Sequence, residues 1–286
     1  MTDLLTAVLR SLGFIGLAQG AGIALFVAVF GDRLEHSRRA ARRLGAGSAL
    51  LAIACLAAYL ASQAGRMAGE LSGVLDPSLQ AAALRSSGGA AFALQALGLS
   101  AVAAGLRARA ERSDLARVCA VVGATLAIAS FTLTGHTSVH PERGLLCVLL
   151  AVHVLIVVFW FGALAPLYLA SRRESLATTA AVVRAFSTVA VRLVPCILLA
   201  GLGLAAILLP GFAALAQPYG ELLLAKLGGF ALLMGFAAWN RWRLGPAIGR
   251  DARALRAFQC SLAAEYLLIA AVLSVTAVMT LLFSPE

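Results

Sequence analysis

Three of the four histidines in the chain, His136, His140 and His153, fall within 18 consecutive residues. Neutral imidazole is a good ligand for copper or zinc. His136 closes the apolar run Ser130-Phe131-Thr132-Leu133-Thr134-Gly135-His136, and His140 follows four residues on. His153 sits ten residues past Arg143 inside the next apolar run. At ~1.5 Å per helical residue that spacing is ~15 Å of depth. Two outer imidazoles above a buried third have the layout of an open path for a metal more than of a closed structural site. The same residues admit a plainer reading, in which His153 bonds a Ser or Thr of a neighbouring helix and the outer pair does nothing. Trp160, seven residues beyond His153, shares its helix face and extends a polar-aromatic stripe inward.

Other polar residues stand where hydrocarbon tolerates them only when they are paired or watered. Arg192 lies eight residues past Arg184 and Glu265 nine past Arg256. Their depths, ~12 and ~13 Å at the helical rise, are nearly equal. An Arg192–Glu265 ion pair is therefore expected, structural first and proton-coupling second. Lys226, five residues beyond Glu221, and Arg10 are shallower; they can snorkel toward the outer surface and attract Asp76, Glu70 or Glu221.

The elements that position these groups follow from composition. Apolar residues make up 61% of 286, charged residues 13%, and mean hydropathy is +0.93. A soluble protein is about half apolar and a quarter charged, so this surface must face lipid. Eight apolar runs are long enough to cross a bilayer: roughly 4–30, 45–64, 87–106, 117–136, 144–170, 186–210, 221–241 and 258–283. Continuous runs exclude the alternating pattern of a membrane β-barrel. The expected fold is all-α, an eight-transmembrane-helix bundle forming a single domain over 1–286 without a soluble domain. The first run lacks a basic start and a cleavage site, so it is expected to stay in the mature chain. Within the loop 65–86, Asp76-Pro77-Ser78 is a helix start and predicts a short interfacial helix.

Arginines sort by connection. The odd connections carry 17 and the even ones three, Arg66, Arg85 and Arg143. By the positive-inside rule the odd loops are cytoplasmic and both termini periplasmic. The net charge of +10 is thus topological, with no nucleic acid implied. Cys55, Cys119, Cys147, Cys196 and Cys260 all fall inside runs without a Cys-x-x-Cys pair and read as packing residues. Beyond Met1 there are only Met67, Met234 and Met279, so no methionine-rich copper(I) signature exists, although Met67 and Met279 lie toward the outer side. No phosphate-binding loop precedes a Lys-Ser or Lys-Thr, which excludes a nucleotide-driven pump.

Two stretches resemble a known family. Gly135-His136 is followed by HVLIVVFWFGAL from His153 to Leu164, and Pro218-Tyr219-Gly220-Glu221-Leu222-Leu223-Leu224-Ala225-Lys226-Leu227 by Trp239-Asn240-Arg241-Trp242-Arg243-Leu244-Gly245-Pro246. Together they resemble the CopD copper-resistance membrane proteins, with a late intramembrane Glu matched by Glu265. The chain departs at Ala163, where a second Gly is commoner. The resemblance implies a copper ion as cargo, His136 and His153 as its ligands with His140 a weaker match, a place in the bacterial inner membrane, and a periplasmic CopC-type copper-binding protein as companion. The expected function is copper transport from periplasm to cytoplasm, without enzymatic activity. Two alternatives stand beside it. One is a b-type haem redox protein, disfavoured because His136 and His153 differ in depth; the other is a non-transporting scaffold or sensor subunit.

Overall fold

The computed structural model describes residues 2–109, 113–135, 139–209, 211–249 and 251–282. Nine helices of more than one turn or two run through them without a strand among the described residues. They are α1 (Thr2–Phe30), α2 (Arg38–Ala68), α3 (Pro77–Arg85), α4 (Ser87–Arg107), α5 (Asp114–Ala129), α6 (Arg143–Arg173), α7 (Leu176–Leu208), α8 (Pro218–Trp239) and α9 (Ala252–Leu282). All except α3 belong to eight segments long and apolar enough to cross a membrane. The protein is an all-α polytopic membrane protein.

The short α3 forms where Asp-Pro-Ser predicts it. The Asp76 carboxylate accepts from the backbone N–H groups of Ser78 and Leu79, filling the orphan donors of the first turn, and Pro77 supplies the fixed φ of a first helical residue. The Ser78 hydroxyl, donating to the same oxygen, and those two N–H groups hold the Asp76 carboxyl below the usual carboxylate range. Asp76 is therefore spent on its own helix and is no companion for Arg10.

The core is built by α1, which packs against α2, α4, α5, α6 and α9. Small residues bring backbones together. Gly22 of α1 and Gly162 of α6 sit face to face, and a Cβ on either would overlap the backbone of the other helix. Gly98 of α4 and Gly123 of α5 meet in the same way. Here Ala163, fully buried, fits where the family more often has glycine, because Gly162 alone makes the crossing. Toward one end, Phe26 and Phe30 of α1, Phe159 of α6 and Phe186 of α7 form a continuous aromatic cluster, with ring centroids 5.0 to 6.5 Å apart.

That same end gathers the arginine-rich connections. Asp32 bridges Arg38 at 3.0 Å and Arg117 at 3.1 Å, tying the α1–α2 connection to the start of α5. Arg42 donates to the carbonyls of Leu106, Gly105 and Ala108, capping the C-terminus of α4. Glu174, whose side chain is 1% exposed, accepts from the Ser37 hydroxyl and from the N–H groups of His36 and Ser37, locking the α6–α7 connection onto the α1–α2 one. At the opposite end Arg66 meets Asp3 at 3.4 Å. Arg10 lies over the rings of Phe14 and Tyr59 and donates to the Thr280 carbonyl. Aromatic faces and a helix-end carbonyl thus take the place of the acidic companions expected for it.

Candidate functional site

The residues with chemistry concentrate on α6 and the helices around it. Gly135, φ +82°, turns the chain in the left-handed region at the end of the α5 segment, a conformation that favours glycine. The thiol of Cys147 in α6 points at the Thr132 carbonyl at 3.9 Å and fastens this turn to α6. Here Cys147 packs and positions. The residue after Gly135, His136, lies outside the described residues.

His140 sits just ahead of α6. Its Nδ1 accepts the backbone N–H of Glu142 at 3.0 Å, beside the start of the helix. In this arrangement the Nδ1 lone pair is used, and the neutral ring carries its proton on Nε2. A metal could be taken only after that bond opens. His140 is thereby a turn-forming residue first.

His153 is different. It is half-buried in α6 and rests on α7, where its Cε1 and Nδ1 would lie 3.4 Å from a Cβ on Gly201. Its Nδ1 stands 3.4 Å from the Ile197 carbonyl oxygen. A carbonyl can only accept, so the neutral ring places its proton on Nδ1 and leaves the Nε2 lone pair open. Metal-binding histidines are commonly oriented in this way, one nitrogen donating to a backbone carbonyl and the other facing the ion. Lys226 of α8, half-buried, is close enough for its charge to act on His153. The chain after α7 returns as α8, yet these consecutive helices do not pack along each other, while α6 packs against α7 and α9. His153 therefore stands at the packing of α6 on α7, with Lys226 of α8 within electrostatic range.

Deeper along the same face of α6 stands Trp160, 7% exposed. It and Ser261 turn polar atoms toward the carboxylate of Glu265, which is 2% exposed. The principal partner of Glu265 is Asn240, whose Nδ2 donates to Oε1 at 2.5 Å. Asn240 opens a π-helical turn, Asn240–Leu244, that continues α8 to Gly245–Ala247. Such turns insert one extra residue and re-aim side chains, often at functional sites. Asn240 Oδ1 remains buried with no hydrogen-bond partner. An unfilled polar atom beside a buried carboxylate marks a place built for more than packing.

The ion pair expected between Arg192 and Glu265 does not form. Arg192 is exposed on α7, whereas Glu265 is enclosed by α6, α8 and α9. Equal depth was insufficient because α7 and α9 share no packed face; α6 packs against both. The residue that the sequence reading left without a role is Asn240. Its signal was visible as an amide at the inner end of an apolar run, but only the fold reveals that it reaches Glu265.

Among the described residues, one group of three His, Cys or carboxylate side chains is close enough to share an ion: Glu35, His36 and Glu174. Its Glu174 oxygens already serve Ser37 and His36, so that group is a clamp between loops.

Comparison with known families agrees with this arrangement. Residues 1–145 match the family described as Copper resistance protein D-like, N-terminal domain, and residues 180–279 match Copper resistance protein D. The first match ends as α6 begins, and the second includes Arg192, Lys226, Asn240 and Glu265. No curated protein and no solved structure matches the chain. An eight-segment bundle matched along most of its length in this way places the chain in the CopD family of copper resistance membrane proteins.

Proposed function

We propose that the protein carries copper across the bacterial inner membrane, from periplasm to cytoplasm, with His153 as the ligand within the bilayer. What supports the reading most directly is the state of His153: Nδ1 faces the Ile197 carbonyl and Nε2 is left for the ion, with Lys226 within electrostatic range. His136 and His140 precede it on the outer side, where both termini also lie. A CopC-type periplasmic protein would deliver the ion to them. The chain catalyses no reaction; copper is its cargo.

Lys226 gives the step a physical logic. A cationic ion at Nε2 and an ammonium group nearby repel in a medium of low dielectric. The ion is held when the Lys226 side chain swings outward or gives up its proton, and released when the ammonium returns. Trp160 lies further along α6, and the Glu265 carboxyl of α9, with Asn240 Oδ1 unpartnered beside it, is the next polar group on the inward path.

The test is copper accumulation by cells carrying wild-type or His153→Ala protein at equal membrane abundance, with copper, zinc and iron measured in the purified proteins. His153→Ala is expected to reduce the rate at least tenfold and to lower bound copper. Uptake at the wild-type rate by His153→Ala would overturn the proposal. Haem absorbance with stoichiometric iron in the wild-type protein would replace it with the redox reading.

A further inference from the structure

At the arginine-rich end of the bundle a crevice separates the last turn of α1 from the first turns of α7. Phe30, 3% exposed, lies within it, and Val29, Ala185 and Val189 extend its apolar lining along the helices. Arg33 and Arg184 line the same crevice, both exposed. Of the acidic groups nearby, Asp32 and Glu174 are engaged elsewhere, and Glu35 clusters with His36 and Glu174. Asp32 faces Arg38 and Arg117, and Glu174 holds His36 and Ser37. Neither Arg33 nor Arg184 has an ion-pair partner among the described residues. Two guanidinium groups at one apolar crevice offer an anion a charge partner on either helix. A guanidinium presents its N–H groups as a planar fork that fits phosphate oxygens.

The order of these features along the helix axes specifies the occupant. Arg33 follows the end of α1, where the chain leaves its apolar run, and Val29 lies four residues back into that run. On α7, Arg184 is followed by Ala185 and Val189 in the direction of the membrane interior. A ligand that satisfies this crevice has a phosphate at its head and a hydrocarbon chain lying along the helices. Basic pockets between transmembrane helices fit the headgroups of anionic lipids. We infer that the crevice between α1 and α7, with Arg33 and Arg184 at its mouth, is a binding site for an anionic phospholipid. The bound lipid bridges α1 to α7 beyond the aromatic contact of Phe30 with Phe186, and so holds α7, whose Ile197 carbonyl faces His153, to the packed core.

The inference is tested with the full-length protein in neutral detergent. Phosphatidylglycerol and phosphatidylcholine, each spin-labelled high on one acyl chain, are added in turn, and the immobilised fraction is read by electron paramagnetic resonance. The wild-type protein is expected to hold phosphatidylglycerol about tenfold more tightly than phosphatidylcholine. Arg33→Gln/Arg184→Gln should reduce that preference to less than twofold, and Arg33→Lys/Arg184→Lys should retain most of it. Arg107→Gln/Arg109→Gln, which removes the same charge at the same end, should leave it unchanged. Equal loss in both Gln pairs would show a diffuse charge effect and overturn the site. Displacement of the lipid by millimolar glycerol phosphate as readily as by unlabelled phosphatidylglycerol would show a soluble-anion site and overturn the lipid assignment. An unaltered preference in Arg33→Gln/Arg184→Gln would do the same.

Discussion

The two ends of the chain solve different problems with the same kind of helix. In the most apolar stretch of α1, 67% of residues are buried within the protein; in the corresponding stretches of α7 and α8 the share is 11%. Glycine shows the contrast most clearly. Gly22, Gly98, Gly123 and Gly162 sit where another backbone leaves no room for a side chain, whereas Gly228 and Gly235 of α8 have nothing within 4 Å. The first group makes a scaffold of α1, α2, α4, α5 and α6. The second belongs to a wall that touches the scaffold along few lines. His153, Lys226 and Glu265 lie where scaffold and wall meet.

The sharpest way to break this division is to load equal volume onto both sides of it. Gly162→Leu places a branched side chain against the backbone of α1 and should cost roughly 3 kcal/mol or more, as overpacking without room to relax does. A strongly reduced yield and a transition many degrees lower in detergent are expected. Gly235→Leu should leave both near wild type. Equal damage from the two would mean that α8 is as tightly packed in the membrane as α1.

A second contrast concerns Glu265. Asn240→Ala removes its hydrogen-bond donor and leaves a buried carboxylate less satisfied, at a cost of about 2 kcal/mol. Arg192→Gln, on an exposed side chain that does not meet Glu265, should cost close to nothing. Thermal unfolding of the two variants separates them. If Arg192→Gln proves the more harmful, the ion pair read from equal depth is restored and Asn240 is secondary.

The loop clamp provides a smaller and pH-dependent effect. Burial would raise the Glu174 carboxyl, but the hydroxyl and N–H of Ser37 and the donors of His36 outweigh it and hold the group below its ordinary value. A carboxyl depressed in the folded state contributes stability above its unfolded value, ~4.3, and loses it as pH falls through the folded value. Wild-type protein should therefore lose stability relative to Glu174→Gln below about pH 4. At pH 7, Glu174→Gln should be less stable by about 1 kcal/mol, the size of a charge-assisted bond reduced to a neutral one. Parallel curves for the two proteins across that range would remove Glu174 as the clamp.

Much of this was legible in the residues. Eight apolar runs, the Asp-Pro-Ser start of α3 and the sorting of arginines to one end all depend on local composition, and each is present in the structure. The tie between His36 and Glu174, and that between Asp32 and Arg117, bring three odd connections together as the arginine count requires. Partnerships were not legible. Depth along a helix can be counted, but azimuth and neighbour cannot, so Arg192 was paired with a residue on a helix it does not face. Apolar runs that are hydrophobic all round carry no phase to say which side meets protein. Arg10 failed for a related reason: Phe14 and Tyr59 rings are partners that a search for opposite charge does not find.

The smallest expected effect separates His140, just ahead of α6, from His153 within it. His140 Nδ1 accepts the Glu142 N–H, while His153 Nδ1 faces an acceptor and leaves Nε2 open. Substituting His140 therefore removes a turn bond before it removes a ligand. His140→Asn keeps an acceptor on a short side chain and can restore that bond to Glu142 N–H, whereas His140→Ala cannot. Both variants lack the imidazole. If the turn is what matters, His140→Asn should accumulate copper as the wild type does, and His140→Ala should be slower by less than threefold with its stability lowered by about 1 kcal/mol. If both variants need several times more external copper for half-maximal uptake, with unchanged stability, His140 is a capture ligand whose bond to Glu142 opens on the arrival of metal. The comparison between a histidine held by a donor and one held by an acceptor would then fail as a guide to which imidazole binds.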